Sequence, residues 1–162
     1  MKSGFYLPII AFALVISLTS SCTLSTQQEA RLAKDLSAFI MVRNEGDALA
    51  YLNLMHPTVV KYYRKQSDSA FIQRFQEVPK KKEQHMQTDS LVYWDKGYVK
   101  STTSNDSLVQ AKIEISLFRQ RELMDSVTTI YALSSSNKSN WLFVSESDYF
   151  SILPKELQLF EE

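Results

Sequence analysis

The chain has 162 residues, with 18 basic and 18 acidic side chains and a formal net charge of zero. That balance gives no electrostatic argument for nucleic-acid binding, which needs a strongly basic face, and no nucleic-acid partner is expected; a single cysteine excludes an internal disulfide. Glycines are too sparse for a phosphate-cradling loop, and two histidines without paired spacing do not make a zinc site, so neither a metal nor another cofactor is expected.

The chain opens on a short, positively charged stretch, Met1-Lys2-Ser3-Gly4. An apolar-dominated run from Phe5 to Leu18 follows, broken only by Pro8 and Ser17, and then the small residues Thr19-Ser20-Ser21. This order is that of a secretory signal. At 1.5 Å per residue the apolar run is too short to cross a ~30 Å hydrocarbon core comfortably. Cys22 comes directly after it. A lone cysteine in this position resembles the lipobox of bacterial lipoproteins. The resemblance implies that the thiol carries a diacylglyceryl group and that cleavage makes Cys22 the mature N-terminus. Thr19 stands where that family usually has leucine, with Leu18 one place earlier. Ordinary cleavage near Ser21, leaving a free thiol on a secreted protein, is the alternative. The expected organisation is a signal peptide over 1–21, a polar tether over 22–27 and a single domain over 28–162. The expected location is the bacterial cell envelope, with the domain held to a membrane on the periplasmic side or the cell surface.

A helix is predicted from near Gln28, with Leu32, Leu36, Phe39, Ile40 and Val42 at helical spacing and Glu29, Arg31, Lys34 and Asp35 on the other face. Gly46 is a natural left-handed stop, and Asp47 can cap a second helix, Ala48 to Met55. His56-Pro57 breaks the chain and restarts it as a third helix to Lys65. Ser67-Asp68 starts a fourth apolar stripe, Phe71, Ile72, Phe75 and Val78, which Pro79 ends. The run Lys80-Lys81-Lys82-Glu83 reads as a solvated link, being too small a cluster for anionic-lipid recognition.

Strands are predicted beyond it. Leu91 to Trp94, Asp95-Lys96-Gly97 and Tyr98-Val99 read as a hairpin with glycine in its turn. From Ser107, Val109, Ala111, Ile113, Ile115 and Leu117 alternate with polar residues, placing five apolar side chains on one face. Val127, Thr129, Tyr131 and Leu133 share one side of the next strand, and Trp141-Leu142-Phe143-Val144 forms another. A sheet with one apolar face must be covered, and the helices are the material available. Pro154 to Phe160 reads as a short amphipathic tail. The expected class is α+β, N-terminal helices packed on a curved antiparallel sheet.

The segments Gly46-Asp47, Leu54-Met55-His56-Pro57 and the sheet from Ser107 to Val144 together resemble the nuclear-transport-factor-2-like (SnoaL-like) superfamily. The stretches Ala132-Leu133-Ser134, Trp141 to Val144 and Ile152-Leu153-Pro154 are similar to those of uncharacterised Bacteroidota lipoproteins. The resemblance implies a cystatin-like cone. It does not imply a function, because this fold hosts both enzymes and binding domains.

The catalytic inventory is thin. His56 sits at a helix junction, where it is either a proton acceptor facing a pocket or a cap satisfied beside Pro57. His85 lies in a polar run and is expected to face solvent. Tyr131 and Trp141 are the aromatic pocket candidates, because both lie on central strands. The leading expectation is a lipid-anchored envelope protein whose domain binds an apolar small molecule or an envelope protein without catalysis. The alternative is a small isomerase, dehydratase or cyclase using His56 or Asp125. A third reading, an assembly subunit, predicts an exposed apolar patch of Phe118, Ile130, Leu142 and Val144.

Overall fold

The computed structural model describes residues 24–66, 92–119, 122–135 and 140–162. The expected signal peptide, Cys22, the fourth apolar stripe, the lysine run and His85 lie outside them. The described elements are α1 (Thr26–Glu45), α2 (Ala48–Leu54), α3 (Pro57–Gln66), β1 (Tyr93–Ser104), β2 (Leu108–Arg119), β3 (Glu122–Ser135), β4 (Leu142–Ser145) and α4 (Glu146–Ser151), then a 3-10 turn at Lys155–Leu157. This is the α+β class, helices first and a four-stranded antiparallel sheet after them.

Local chemistry fixes the helix ends. The Ser25 hydroxyl accepts from the Gln28 N–H, and the Gln28 side chain accepts from the Ser25 N–H, a reciprocal capping box. Gly46 ends α1 at φ 73°, a conformation that costs other residues more. Asp47 then caps α2 through the Ala50 N–H at 3.0 Å. The stripe Leu32, Leu36, Phe39 and Val42 is buried, as its spacing predicts. Asp35 departs from its expected solvent face, because its carboxylate accepts the Trp141 N–H at 3.0 Å. That bond joins α1 to the entry of β4.

The sheet is a simple meander, β1-β2-β3-β4. Val109, Ala111, Ile113 and Ile115 are all buried. Their cross-strand neighbours include Ile130 and Ala132, and Ala132 in turn faces Phe143. Phe143 stacks on Phe39 of α1 at 4.5 Å, so this is the face the helix covers.

Two expectations are corrected here. No hairpin turns at Asp95-Lys96-Gly97; β1 runs straight through, with register shifts between Trp94 and Gly97 and between Val99 and Ser101. Glycine is there for closeness, not for a turn. A Cβ on Gly97 would lie 2.8 Å from Leu36 Cδ2 and 3.2 Å from Ile113 Cγ2. Nor is there an exposed patch of Ile130 and Val144, since each is 1 % exposed. They lie on opposite faces, because Ile130 pairs with Ile113 whereas Val144 pairs with Tyr131.

The sheet is therefore buried on both faces at its centre. The second face carries Gln110, Tyr131, Leu133 and Val144, and the C-terminal segment lies over it. Tyr131 stacks on Tyr149 at 3.9 Å and meets Phe150 and Phe160. Gln110, read as a polar outward residue, is fully buried. Its amide donates to the Leu157 carbonyl and accepts from the Tyr149 hydroxyl and the Leu159 N–H. The Phe160 N–H donates to the same Tyr149 hydroxyl at 3.0 Å. One glutamine thus holds a tail with little regular structure of its own.

Gln110→Leu keeps the volume but leaves the Leu159 N–H and Leu157 carbonyl without that partner. Stability should fall by about 1–3 kcal/mol, the cost of orphaning a buried polar group. Urea titration should show a lower midpoint at unchanged slope. An unaltered midpoint would mean that the tail is not held through Gln110.

Candidate functional site

A concavity of about 900 Å³ opens between α1 and β1. Leu32, Leu36 and Ile40 from the helix and Gly97 and Val99 from the strand supply its apolar walls, and Leu24, just before the helix, adds to them. The helix and strand touch tightly at Leu36 and Gly97. The surrounding surface is unusually apolar. Met41 and Val99 are 53 % and 46 % exposed and line this groove, whereas Tyr98, 57 % exposed, pairs with Glu114 and so turns its ring to the sheet's other face. Scattered exposed apolar residues are ordinary, but adjacent ones mark binding surfaces. Glu29, Asp95, Lys96 and Lys100 are its charged members, two of each sign and all exposed. Lys100 is paired with Glu114 at 3.0 Å.

A second concavity, about 450 Å³, lies where the C-terminus of α1 meets the start of β1. Phe39 stacks on Tyr51 at 4.8 Å and on Phe143 at 4.5 Å, with Trp94 tilted against it. The Arg43 guanidinium lies 4.3 Å from the Trp94 ring centroid and donates to the Val92 carbonyl at 3.2 Å. Asn44 donates to the Trp94 carbonyl at 2.7 Å and accepts from its N–H at 3.0 Å. Its amide thus serves one residue of the edge strand as a neighbouring strand would. These contacts fasten the helix end to the sheet.

The residues singled out by sequence are dispersed. His56 opens α3 as a cap. Its carbonyl accepts from Val59 and Val60, and its Nδ1 accepts from the Thr58 N–H at 3.3 Å. Its own N–H donates to the Phe143 carbonyl at 3.1 Å, tying the junction to β4. Burial pushes the imidazole below its usual value. Tyr131 is buried, and its hydroxyl is pushed up to about 12 by burial, with Glu146 and Tyr149 adding to the effect. The shallow concavity that it lines with Lys112 and Glu146 includes neither His56 nor Trp141. Trp141 is buried, with its N–H on Asp35. Asp125 is exposed on β3.

Sequence reasoning does not single out the groove residues Leu24, Met41 and Val99. The widened stripe Ile40-Met41 beside Leu36 was the available signal. Arg43 and Asn44 gave none, because their partners lie some fifty residues away. Among the described residues, no group of three or more His, Cys, Asp or Glu is placed to hold a metal. No helix among them is long and apolar enough to cross a membrane. No protein-family model matches the chain, and neither a curated protein nor a solved structure shows significant similarity to it.

Two outcomes follow from this geometry. Gly97→Val should crowd the buried Leu36 side chain and cost about 1–3 kcal/mol, as overpacking typically does; wild-type stability in a urea titration would show that Leu36 moves aside without cost. The second concerns pH. An unfolded histidine titrates near 6.5, and His56 does so lower when folded. The unfolded chain therefore binds more protons as pH falls, and His56 contributes stability above pH ~6.5 that is lost through and below it. His56→Asn keeps a cap acceptor but does not titrate. Its urea midpoint should fall less than the wild-type midpoint between pH 7.5 and 5.5, and parallel falls would remove His56 from the account.

Proposed function

We propose that this protein is an envelope lipoprotein, anchored to a membrane through lipid on Cys22, whose domain binds an apolar ligand or partner without catalysis. The observation that carries the binding role is the apolar groove between α1 and β1, with Met41 and Val99 left exposed beside it. The signal-like N-terminus and the single cysteine support the anchor. The helix-then-meander order, with α1 packed across the sheet, supports kinship with the nuclear-transport-factor-2-like fold.

Binding is favoured over proton chemistry by where the titratable groups lie. A general base must reach its proton within about 2.6–3.2 Å or through one water. His56 Nδ1 already accepts a backbone N–H, and Asp125 stands in the open on β3. Burying hydrocarbon in the groove would supply roughly 25 cal/mol per Å² of apolar surface.

Cells fed a radiolabelled or alkyne-tagged fatty acid should label the wild-type protein and leave Cys22→Ala unlabelled; equal labelling of both would remove the anchor. Purified Cys22→Ala protein should melt at a higher temperature with a saturating long-chain alkyl ligand, about 2.7 kcal/mol more stable at a hundred times Kd. Flat melting curves across a broad set of apolar compounds would move the binding role to a protein partner.

A further inference from the structure

Resting on the lipid anchor proposed above, we infer that the groove between α1 and β1 receives the acyl chains carried by Cys22 of the same molecule. The first observation is position. Leu24 lines the groove and packs against the core, and Cys22 precedes it by two residues. At no more than ~3.6 Å per residue, the attachment point lies within roughly 7 Å of Leu24 along the backbone. A lipid on that sulfur is therefore within short covalent reach of a groove-lining residue.

The second observation is size and lining. About 900 Å³ falls at the upper end of the roughly 300–1,000 Å³ range of clefts that take small ligands. The walls are hydrocarbon, from Leu32, Leu36, Ile40 and Val99.

The third is charge. A free fatty acid or a phospholipid brings an anion and calls for an excess of cations at the mouth. The groove's charged residues are balanced, Glu29 and Asp95 against Lys96 and Lys100, and Lys100 is already paired with Glu114. A diacylglyceryl thioether is uncharged, which fits that balance. The anchor then has two resting places, the bilayer and its own domain, and the domain sits close against the membrane when the chains are outside.

A fatty acid bearing a diazirine, fed to cells, places a photocross-linker on the anchor. Irradiation of the purified lipidated protein should cross-link residues 29–41 and 95–102, found by peptide mass spectrometry. Ala33→Trp, which fills the groove, should lower that yield at least fivefold; Ser37→Trp is the second variant should the first not fold. Mixing with isotopically heavy protein should leave the cross-links within single chains. Label on Cys22 without groove cross-links overturns the inference and leaves the anchor standing, whereas no label on Cys22 overturns both. Cross-links between light and heavy chains would assign the groove to a second copy's lipid. Equal cross-linking of Cys22→Ala by probe-bearing membrane phospholipid would assign it to bulk lipid. Either result overturns occupancy by the molecule's own anchor.

Discussion

A missing side chain lets α1 and the sheet meet. Gly97 lets Leu36 come so near β1 that even one added carbon would be crowded. The helix makes two kinds of contact with the sheet. Nearer its C-terminus, Phe39 enters an aromatic stack with Tyr51 and Phe143, and Asn44 locks on to Trp94. Around the Leu36–Gly97 contact, from Leu24 to Met41 on one side and Asp95 to Thr102 on the other, the two elements line the groove.

The opposite face of the sheet obeys a different rule. A short tail with one small helix and a 3-10 turn has little regular backbone pairing of its own, and alone it would not stay ordered. Two features hold it. Tyr149 and Phe160 pack on Tyr131, which supplies hydrophobic area. Gln110 and the Tyr149 hydroxyl satisfy backbone groups of the tail that would otherwise be buried without partners. Near the same end, Tyr63 of α3 donates to the Asp148 carboxylate at 2.7 Å, so α3 and α4 are tied across the chain. Buried polar groups of this kind are costly when incomplete and specific when complete.

Legibility in the sequence followed locality. The helix stripe of α1, its glycine stop, the Asp47 cap and the alternation of β2 are patterns within a few residues, and each was readable. Gly97 was misread because a glycine between polar neighbours signals a turn and a close approach equally well. The difference lies in Leu36, on another element. Strand alternation puts Gln110, and helical spacing puts Asp35, on the polar face, by the same periodicities that place their apolar neighbours correctly. Both are buried or held by partners far along the chain, Leu157 and Trp141. The phase of β3 against β2 was also out of reach. Only the register shows that Ile130, not Tyr131, joins Ile113. The candidate site fared worst for that reason, since a groove is a distance between two elements and leaves no motif in either.

The treatment of β1 bears on what the groove is for. An edge strand invites pairing with another strand unless its backbone is disrupted or charged. β1 has both safeguards, two register shifts and the exposed lysines Lys96 and Lys100. Yet the same stretch leaves Val99 exposed, with Met41 across the groove. Guarding against aggregation would remove those side chains as well. Their retention beside a guarded backbone separates two kinds of occupant. A partner strand needs regular N–H and C=O groups along the edge, which the bulges interrupt. Hydrocarbon needs only apolar side chains and space, which the groove supplies. The edge is therefore ill suited to β-pairing, because the bulges break the regular N–H and C=O groups that a partner strand would need.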